Sequence, residues 1–535
     1  MTARVRRAIP VVATFLLCGL AMAVTAPVAT ARVHRATTDT DGMTPAVAPL
    51  PSTLPDGNPA SSAVLYGSSC SSDAFCVAVG VVEDSLDQYP LVETYADGTW
   101  TPSVAPLPPL AASYGNVLYA VSCPVDGTCA AAGDYNSDGF QDGLLEMLSD
   151  GSWTATPAAL PDGSGLVNLL GVSCPDATTC TAVGNIYQST PSWTGLIYTW
   201  SAGTWTLQTG LPVPADYQNN LELSSVSCPD DSDCVVVGSY GAMPTGQPET
   251  SHGLILTLAA GTWSAQEAPL PVDANPEPNA AGLKVLDAVD CVDAADCVAG
   301  GAYVDESADT DPLLETLANG TWTPSQAPVP PDSQTNTLAV ITGMSCPGLE
   351  ACVADGYYWP NYYGNDESGM VLTQSGTGWT VVPGAIPVTS GVRRDAVGRA
   401  AATSSSMSGL NSVSCPAGAA CEAVGSYGDS QSDDAGLLVA FPDSSTPLAI
   451  TSPDQATFAT RHHGSFTLTG TGTPAPRLTE KGKLPHGLHF RSGSGSATLT
   501  GRPTAKSAGS YPITITASNG AKTKARQTLT VVVQS

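Results

Sequence analysis

The sequence predicts an all-β chain, a seven-bladed β-propeller of four-stranded blades (32–442) joined by a linker (443–447) to an Ig-like β-sandwich (448–535). Three observations carry this reading. Cysteines recur in close pairs at intervals of 51 to 69 residues, a Gly-Thr-Trp word trails most pairs, and the last segment is cysteine-free, basic and rich in alternating strands.

Ahead of these units, residues 1–31 carry Arg4, Arg6 and Arg7, an apolar stretch and a small-residue end at Ala29-Thr30-Ala31, the order of a secretory signal peptide. Pro10 and Pro27 interrupt the apolar run, so a membrane anchor is disfavoured, and no later stretch is long and apolar enough to span a bilayer. The expected product is secreted, extracellular or associated with the cell wall, with oxidised thiols.

Apart from Cys18, the cysteines form seven pairs with five residues between partners: Cys70/Cys76, Cys123/Cys129, Cys174/Cys180, Cys228/Cys234, Cys291/Cys297, Cys346/Cys352 and Cys415/Cys421. Each pair brackets the turn between the first two strands of a unit, where a hairpin brings two sulfurs together. Metal or redox chemistry is the poorer reading, since zinc sites favour shorter spacings with His or further Cys in support. The second strand starts at the second cysteine (CVAVG, CVVVG), a third is apolar (LVETY, LILTL), and a fourth begins with Trp and ends in Pro (TWTPSVAPLP). Runs that are apolar on both faces suit sheets covered on both sides. The repeated Trp100, Trp153, Trp205, Trp263, Trp322 and Trp379 hold a fixed place in their units and read as packing residues.

The seventh cysteine unit ends at LLVAFPD without a fourth strand. The segment DGMTPAVAPLP at Asp41 to Pro51 lines up with DGTWTPSVAPLP at Asp97 to Pro108. A strand from the start of the mature chain would therefore complete the last blade and remove an exposed edge, which a linear solenoid has no need to do.

The chain of 535 residues carries 48 acidic and 19 basic side chains, a net charge of -29. From Asp443 onward ten basic residues face three acidic ones, a balance of +7, which leaves -39 on 32–442. Phosphate-backbone binding depends on Lys and Arg, so nucleic acid is excluded as a partner. The basic last module could instead hold the protein to anionic cell-wall polymer, in a salt-sensitive way.

The recurring SCPxxxxCxAVG and GTW words resemble secreted bacterial propeller-type repeat proteins without an assigned activity, over about residues 42–442. The words TGTPAP, LPHGLHF and LTGRPTAKSAGSYPITITASNG resemble the bacterial cadherin-like, Ig-type sandwich family. That second resemblance implies adhesion, spacing or glycan contact. Asp97-Gly98-Thr99-Trp100 is similar to a sialidase Asp-box in composition only, because its residues are contiguous. Arginines fall at Arg393, Arg394 and Arg399 in one linker, where a sialidase needs them on several blades.

Loops after the second strand and between units vary in length and should share one face, where binding usually resides. One such loop offers Asp134, Asn136, Asp138, Phe140 through its carbonyl, and Asp142, with Gly139 at the sharp turn, in the spacing of a structural calcium loop. Another carries Tyr357, Tyr358, Trp359, Tyr362 and Tyr363, aromatic surface suited to stacking on sugar rings or anchoring a protein. His252 is the one histidine between Arg35 and Asp443, so His-dependent triads are disfavoured. The expected function is non-catalytic binding or adhesion, with an extracellular glycan or protein as ligand. The alternative is a carboxylate-dependent polysaccharide hydrolase or lyase, which requires two carboxylates within catalytic distance in a pocket at the channel mouth.

Overall fold

A computed structural model describes residues 43–534 except 110, 138, 161–164, 189–191, 243–249, 276–284, 334–337, 349–350, 361–366, 377, 386–392, 395–399, 402–407, 417–419, 429–433, 442–448, 472–475, 493–495 and 519–523. The expected signal segment, Asp138, Tyr362 and Tyr363 lie outside the described residues.

Seven four-stranded antiparallel sheets are built from the cysteine units, and no helix occurs among the described residues. The first sheet runs Ser62–Ser72, Phe75–Glu83, Gln88–Ala96 and Thr99–Val104 in chain order, and the next five repeat that order. Its third and fourth strands join through Asp97 and Gly98, at φ of 51° and 80°, which makes a two-residue hairpin whose twist matches the strands.

All seven expected disulfides are present, each closing the first hairpin of its sheet. They join Cys70 to Cys76, Cys123 to Cys129, Cys174 to Cys180 and Cys228 to Cys234 in the first four sheets. Cys291–Cys297, Cys346–Cys352 and Cys415–Cys421 follow in the last three. Two of the pairs, Cys70/Cys76 and Cys291/Cys297, stand directly opposite one another in the strand register. Cα separations of 4.0–4.2 Å across all seven show the same joint used each time.

The seventh sheet takes its fourth strand from the far end of the chain. Thr44–Val47 pairs antiparallel with Asp434–Phe441, placing Pro45 opposite Val439, as Pro102 lies opposite Glu93 in the first sheet. Met43 is buried beside Val439 and Phe441. The first strand of every sheet lies against the first strand of the next, and that of the seventh against that of the first.

Hydrogen bonds close the same circuit. The serine before the first cysteine of one unit accepts the backbone N–H of the first cysteine of the next, as Cys123 donates to Ser69 and Cys174 to Ser122. Cys228 donates to Ser173, Cys291 to Ser227 and Cys415 to Ser345, each at 3.0 Å. Asp290 replaces serine in the fifth unit and takes the Cys346 N–H at 2.6 Å. Cys70 donates to Ser414 at 2.8 Å, which joins the seventh unit to the first.

The glycine of the repeated CxxxG word has a packing cause. A Cβ on Gly80, Gly133 or Gly238 would stand 1.9–2.0 Å from a carbonyl oxygen of the adjoining first strand. Next to this contact the first strand of all seven sheets carries a β-bulge, which inserts one extra residue.

The last module forms two further four-stranded sheets around Phe458, Leu468, Leu478, Leu499, Ile513 and Leu529. Its strand Gln455–Ala459 pairs parallel with Ala525–Gln534, and the remaining pairs are antiparallel.

Candidate functional site

The bulges build the site. A β-bulge leaves one residue unpaired and re-aims its side chain. The seven extra residues, in order around the ring, are Tyr66, Tyr119, Leu170, Ser224, Asp287, Thr342 and Asn411. All seven line one cavity of about 250 Å³ on the ring's inner side. Among the described residues, no Lys, Arg or His lines it.

Two of these residues bind the next sheet: Thr342 Oγ1 donates to the Leu410 carbonyl and Asn411 Nδ2 to the Leu65 carbonyl, each at 2.8 Å. Tyr66 and Tyr119 form an aromatic pair with ring centroids 5.4 Å apart and a 53° tilt. Burial pushes both hydroxyls above the ordinary phenol range, so they stay protonated donors. Behind Tyr119, burial pushes Asp134 up to about 7, although hydrogen bonds from Gln141 and Tyr119 pull the other way. Serines and Asp290 line the cavity beyond the bulge residues. Burial raises Asp290 to about 6 against three donors, the N–H groups of Cys346 and Cys291 and the hydroxyl of Ser227. Asp290 is thus committed to the scaffold, and Asp287 lines the cavity as well.

The cysteines belong to the scaffold as well. Cys76, Cys129, Cys180, Cys234, Cys297, Cys352 and Cys421 are buried, and none of them lines the cavity. Their sulfurs, like those of the partners that precede them, are held in disulfides, so they supply neither a thiolate nucleophile nor a metal ligand. Their contribution to the site is indirect: each bridge clamps the hairpin whose first strand carries a bulge residue.

The aromatic segment divides along its strand, Val353–Tyr358. Tyr358 is a core residue, 1% exposed, and donates its hydroxyl proton to Asp332 at 3.0 Å. It sits six residues after its cysteine, as Tyr135, Tyr240, Tyr303 and Tyr427 do in their buried positions. That repeat was a sequence signal for packing, and it corrects the expectation of a ligand-contacting Tyr358. Tyr357 takes the opposite side: burial raises its hydroxyl to about 12, with the charges of Glu367 and Asp287 adding to the effect. Trp359 is 36% exposed, and its indole N–H bonds Glu367.

Strand register divides those calcium-loop residues that the structure describes. Asn136 pairs with Gln141 and Tyr135 with Asp142, so Asp134 and Asn136 lie on one face of the hairpin and Asp142 on the other. Asp142 accepts the Ser137 hydroxyl on its own face, while Asp134 is buried beside Tyr119. The side chains of Asp134 and Asn136 are thus parted from that of Asp142 by the width of the hairpin.

In the last module, Arg477, Lys481 and Arg526 project from one outer sheet face. Leu478 and Leu529 mark the inner face, and Thr516 pairs with both Thr479 and Arg526. None of these cations forms an ion pair among the described residues.

Residues 441–534 match the family model described as "Putative Ig domain". Among curated proteins the sequence has no match. Among solved structures, an ulvan lyase of a polysaccharide-lyase family is similar at 11% identity and a TM-score of 0.41, over 69% of this chain and 90% of that one. Trypanosoma rangeli sialidase is similar at 10% identity and a TM-score of 0.35, over 82% and 90% of the two chains. Penicillium chrysogenum α-L-arabinanase is similar at 12% and 0.33, over 70% and 92%. At these identities and scores no activity follows from the likeness. No helix of the described residues is long and apolar enough to cross a membrane.

Proposed function

We propose that the ring is a seven-bladed β-propeller whose axial cavity binds, without chemical turnover, a neutral hydroxyl-rich ligand such as a sugar residue of an extracellular glycan. The observation that carries this reading is the ring of bulge residues. A uniform scaffold presents tyrosine, serine, aspartate, threonine and asparagine side chains toward one small space. Tyrosine rings supply apolar faces for a sugar ring, and the hydroxyls, amide and carboxylate supply hydrogen bonds to its hydroxyl groups. Among the described residues no cation lines the cavity, and this together with Asp287 favours neutral ligands over sialates or uronates. Seven disulfides support an oxidising, extracellular setting. The basic outer face of the sandwich adds a weak, salt-sensitive hold on anionic wall polymer.

The test is a glycan array followed by calorimetry with the best neutral and acidic sugars. Wild type is expected to bind a neutral sugar and release no product by mass spectrometry. Tyr66→Ala and Asn411→Ala should each weaken binding at least tenfold, while Leu86→Ala, at an exposed site, leaves it unchanged. Preference for acidic glycans, or product formation, would overturn the reading.

A further inference from the structure

The third sheet carries an aromatic row at the loop end of the ring, outside the repeated tryptophan positions. Leu166 opens its first strand, Leu166–Ser173, Tyr187 ends its second, Cys180–Tyr187, and Trp193 opens its third, Trp193–Ser201. Leu166 pairs with Tyr187 and Tyr187 with Trp193, so the three side chains stand side by side on one face. The two rings lie 5.2 Å apart at a 54° tilt. Leu166 is 43% exposed and Tyr187 37%, and Trp193 is partly exposed.

Packing does not account for this row. Trp200 and Trp205 of the same sheet pack against its buried core, whereas none of the three residues is part of that core cluster or of the next one around the ring. The Trp193 N–H donates to Asn220 Oδ1 at 3.2 Å, and Asn220 holds a left-handed backbone at φ 50°. The backbone of Trp193 is thus tied to the neighbouring sheet while its ring stays partly in solvent.

Size and position limit what the row can hold. An aromatic side chain buries about 150–250 Å² in full contact, so at these exposures the row offers on the order of 200 Å². Each partner in a stable protein interface gives roughly 800 Å², so a protein is too large an occupant and a sugar ring is the right size. Leu, Tyr and Trp carry no charge, which suits the neutral glycan read for the axial cavity. Leu166 and the cavity residue Leu170 lie on one strand, roughly 13 Å apart at the usual rise per residue. An oligosaccharide with one residue in the cavity would pass the row on its way out.

We propose that Leu166, Tyr187 and Trp193 form a stacking platform for a neutral, pyranose-based oligosaccharide, an outer subsite at the mouth of the ring. The path of the glycan from cavity to platform rests on the reading of the axial cavity as a sugar site, whereas stacking on the row stands without it. The two aromatic rings take the apolar face of a sugar, and Leu166 extends that surface toward the axis. Chain length then governs affinity, because a single sugar residue cannot occupy the cavity and the row together.

The experiment uses the full chain and calorimetry with glucose, mannose and galactose and with their β-1,4-linked tetrasaccharides. Wild type should bind one tetrasaccharide more tightly than its monosaccharide. Trp193→Ala and Tyr187→Ala should each weaken the tetrasaccharide roughly 3–10-fold and leave the monosaccharide unchanged. Trp193→Phe should restore most of the loss, and Leu86→Ala, at an exposed site, should change neither ligand. A cooperative thermal melt establishes that each variant is folded. A tetrasaccharide bound no better than its monosaccharide, or bound as well after Trp193→Ala, would overturn the platform and leave the axial reading standing. Tetrasaccharide binding lost in Trp193→Ala but untouched by Tyr66→Ala would keep the platform and overturn the axial reading instead. Folded wild type that binds no saccharide would overturn both. Self-association in sedimentation that disappears in Trp193→Ala, without saccharide binding, would give the row to a second copy of the chain and overturn the platform.

Discussion

The Oγ of Ser414 accepts the backbone N–H of Cys70 at 2.8 Å, across 344 residues of sequence. This contact repeats, between the ends of the ring, the bond that each unit makes with the next. The circuit is therefore made of one kind of joint, and its last member costs the most chain entropy to bring together.

Ser414→Ala should leave the Cys70 N–H buried without its acceptor and lower stability by about 1–3 kcal/mol. Urea unfolding should show a lower midpoint. Ser122→Ala, which breaks the joint between the second and third units, should cost a similar amount. An unchanged midpoint for both variants would contradict the role given to these serines.

Met43 tests the other closing device. It is 2% exposed, directly before the strand Thr44–Val47, and packs into the seventh sheet. Met43→Ala should destabilise by about 2–5 kcal/mol, the range for emptying a buried site. Thermal melting of this variant should resemble that of a chain lacking the strand altogether.

Three carboxyls on third strands are buried with neither oxygen hydrogen-bonded to a described residue: Glu93, Glu146 and Glu315. Burial raises them from 4.5 to about 9, about 8 and about 8. The folded protein then holds protons that the unfolded chain has released, so stability is greatest below the unfolded value and falls as pH climbs toward the folded ones. The lowered carboxylates Asp84, Asp176 and Asp230 act only below about 4, outside this window. Melting temperature should thus decrease from pH 5 to pH 8, and Glu146→Gln should flatten the decrease. A rising or level profile would refute the assignment of buried neutral carboxyls.

Reversal of the sandwich face should change retention on an anionic support. With Arg477, Lys481 and Arg526 replaced by Glu, elution from such a matrix should come at lower salt than for wild type, because exposed charges act through a screened field. Equal elution would contradict a role for this face in holding an anionic polymer.

Much of the ring was legible before any coordinates. Cysteine pairs, Asp-Gly turns and the CxxxG glycine are local requirements of one hairpin, so they recur wherever that hairpin recurs. The match of Thr44 and Pro45 to Thr101 and Pro102 was readable because both strands meet the same partner geometry. The axial site was harder to see. Its residues stand four before each first cysteine, between a Leu or Ile and a small residue, as in Leu118-Tyr119-Ala120 and Leu286-Asp287-Ala288. Variation at one position inside a constant frame was the available signal, and search of the long loops passed over it.

By itself, then, the sequence determined the repeat, the disulfide pairing, the strand that completes the seventh sheet and the charge contrast between modules, because each depends on neighbours in the chain or on a repeated word. Tertiary structure alone decided that Tyr66, Asp287 and Asn411 share a cavity, that Asp134 and Asp142 part company, and that His252 pairs with Glu267. Those outcomes depend on bulges, strand faces and hydrogen-bond direction, which place distant residues together without leaving a periodic trace.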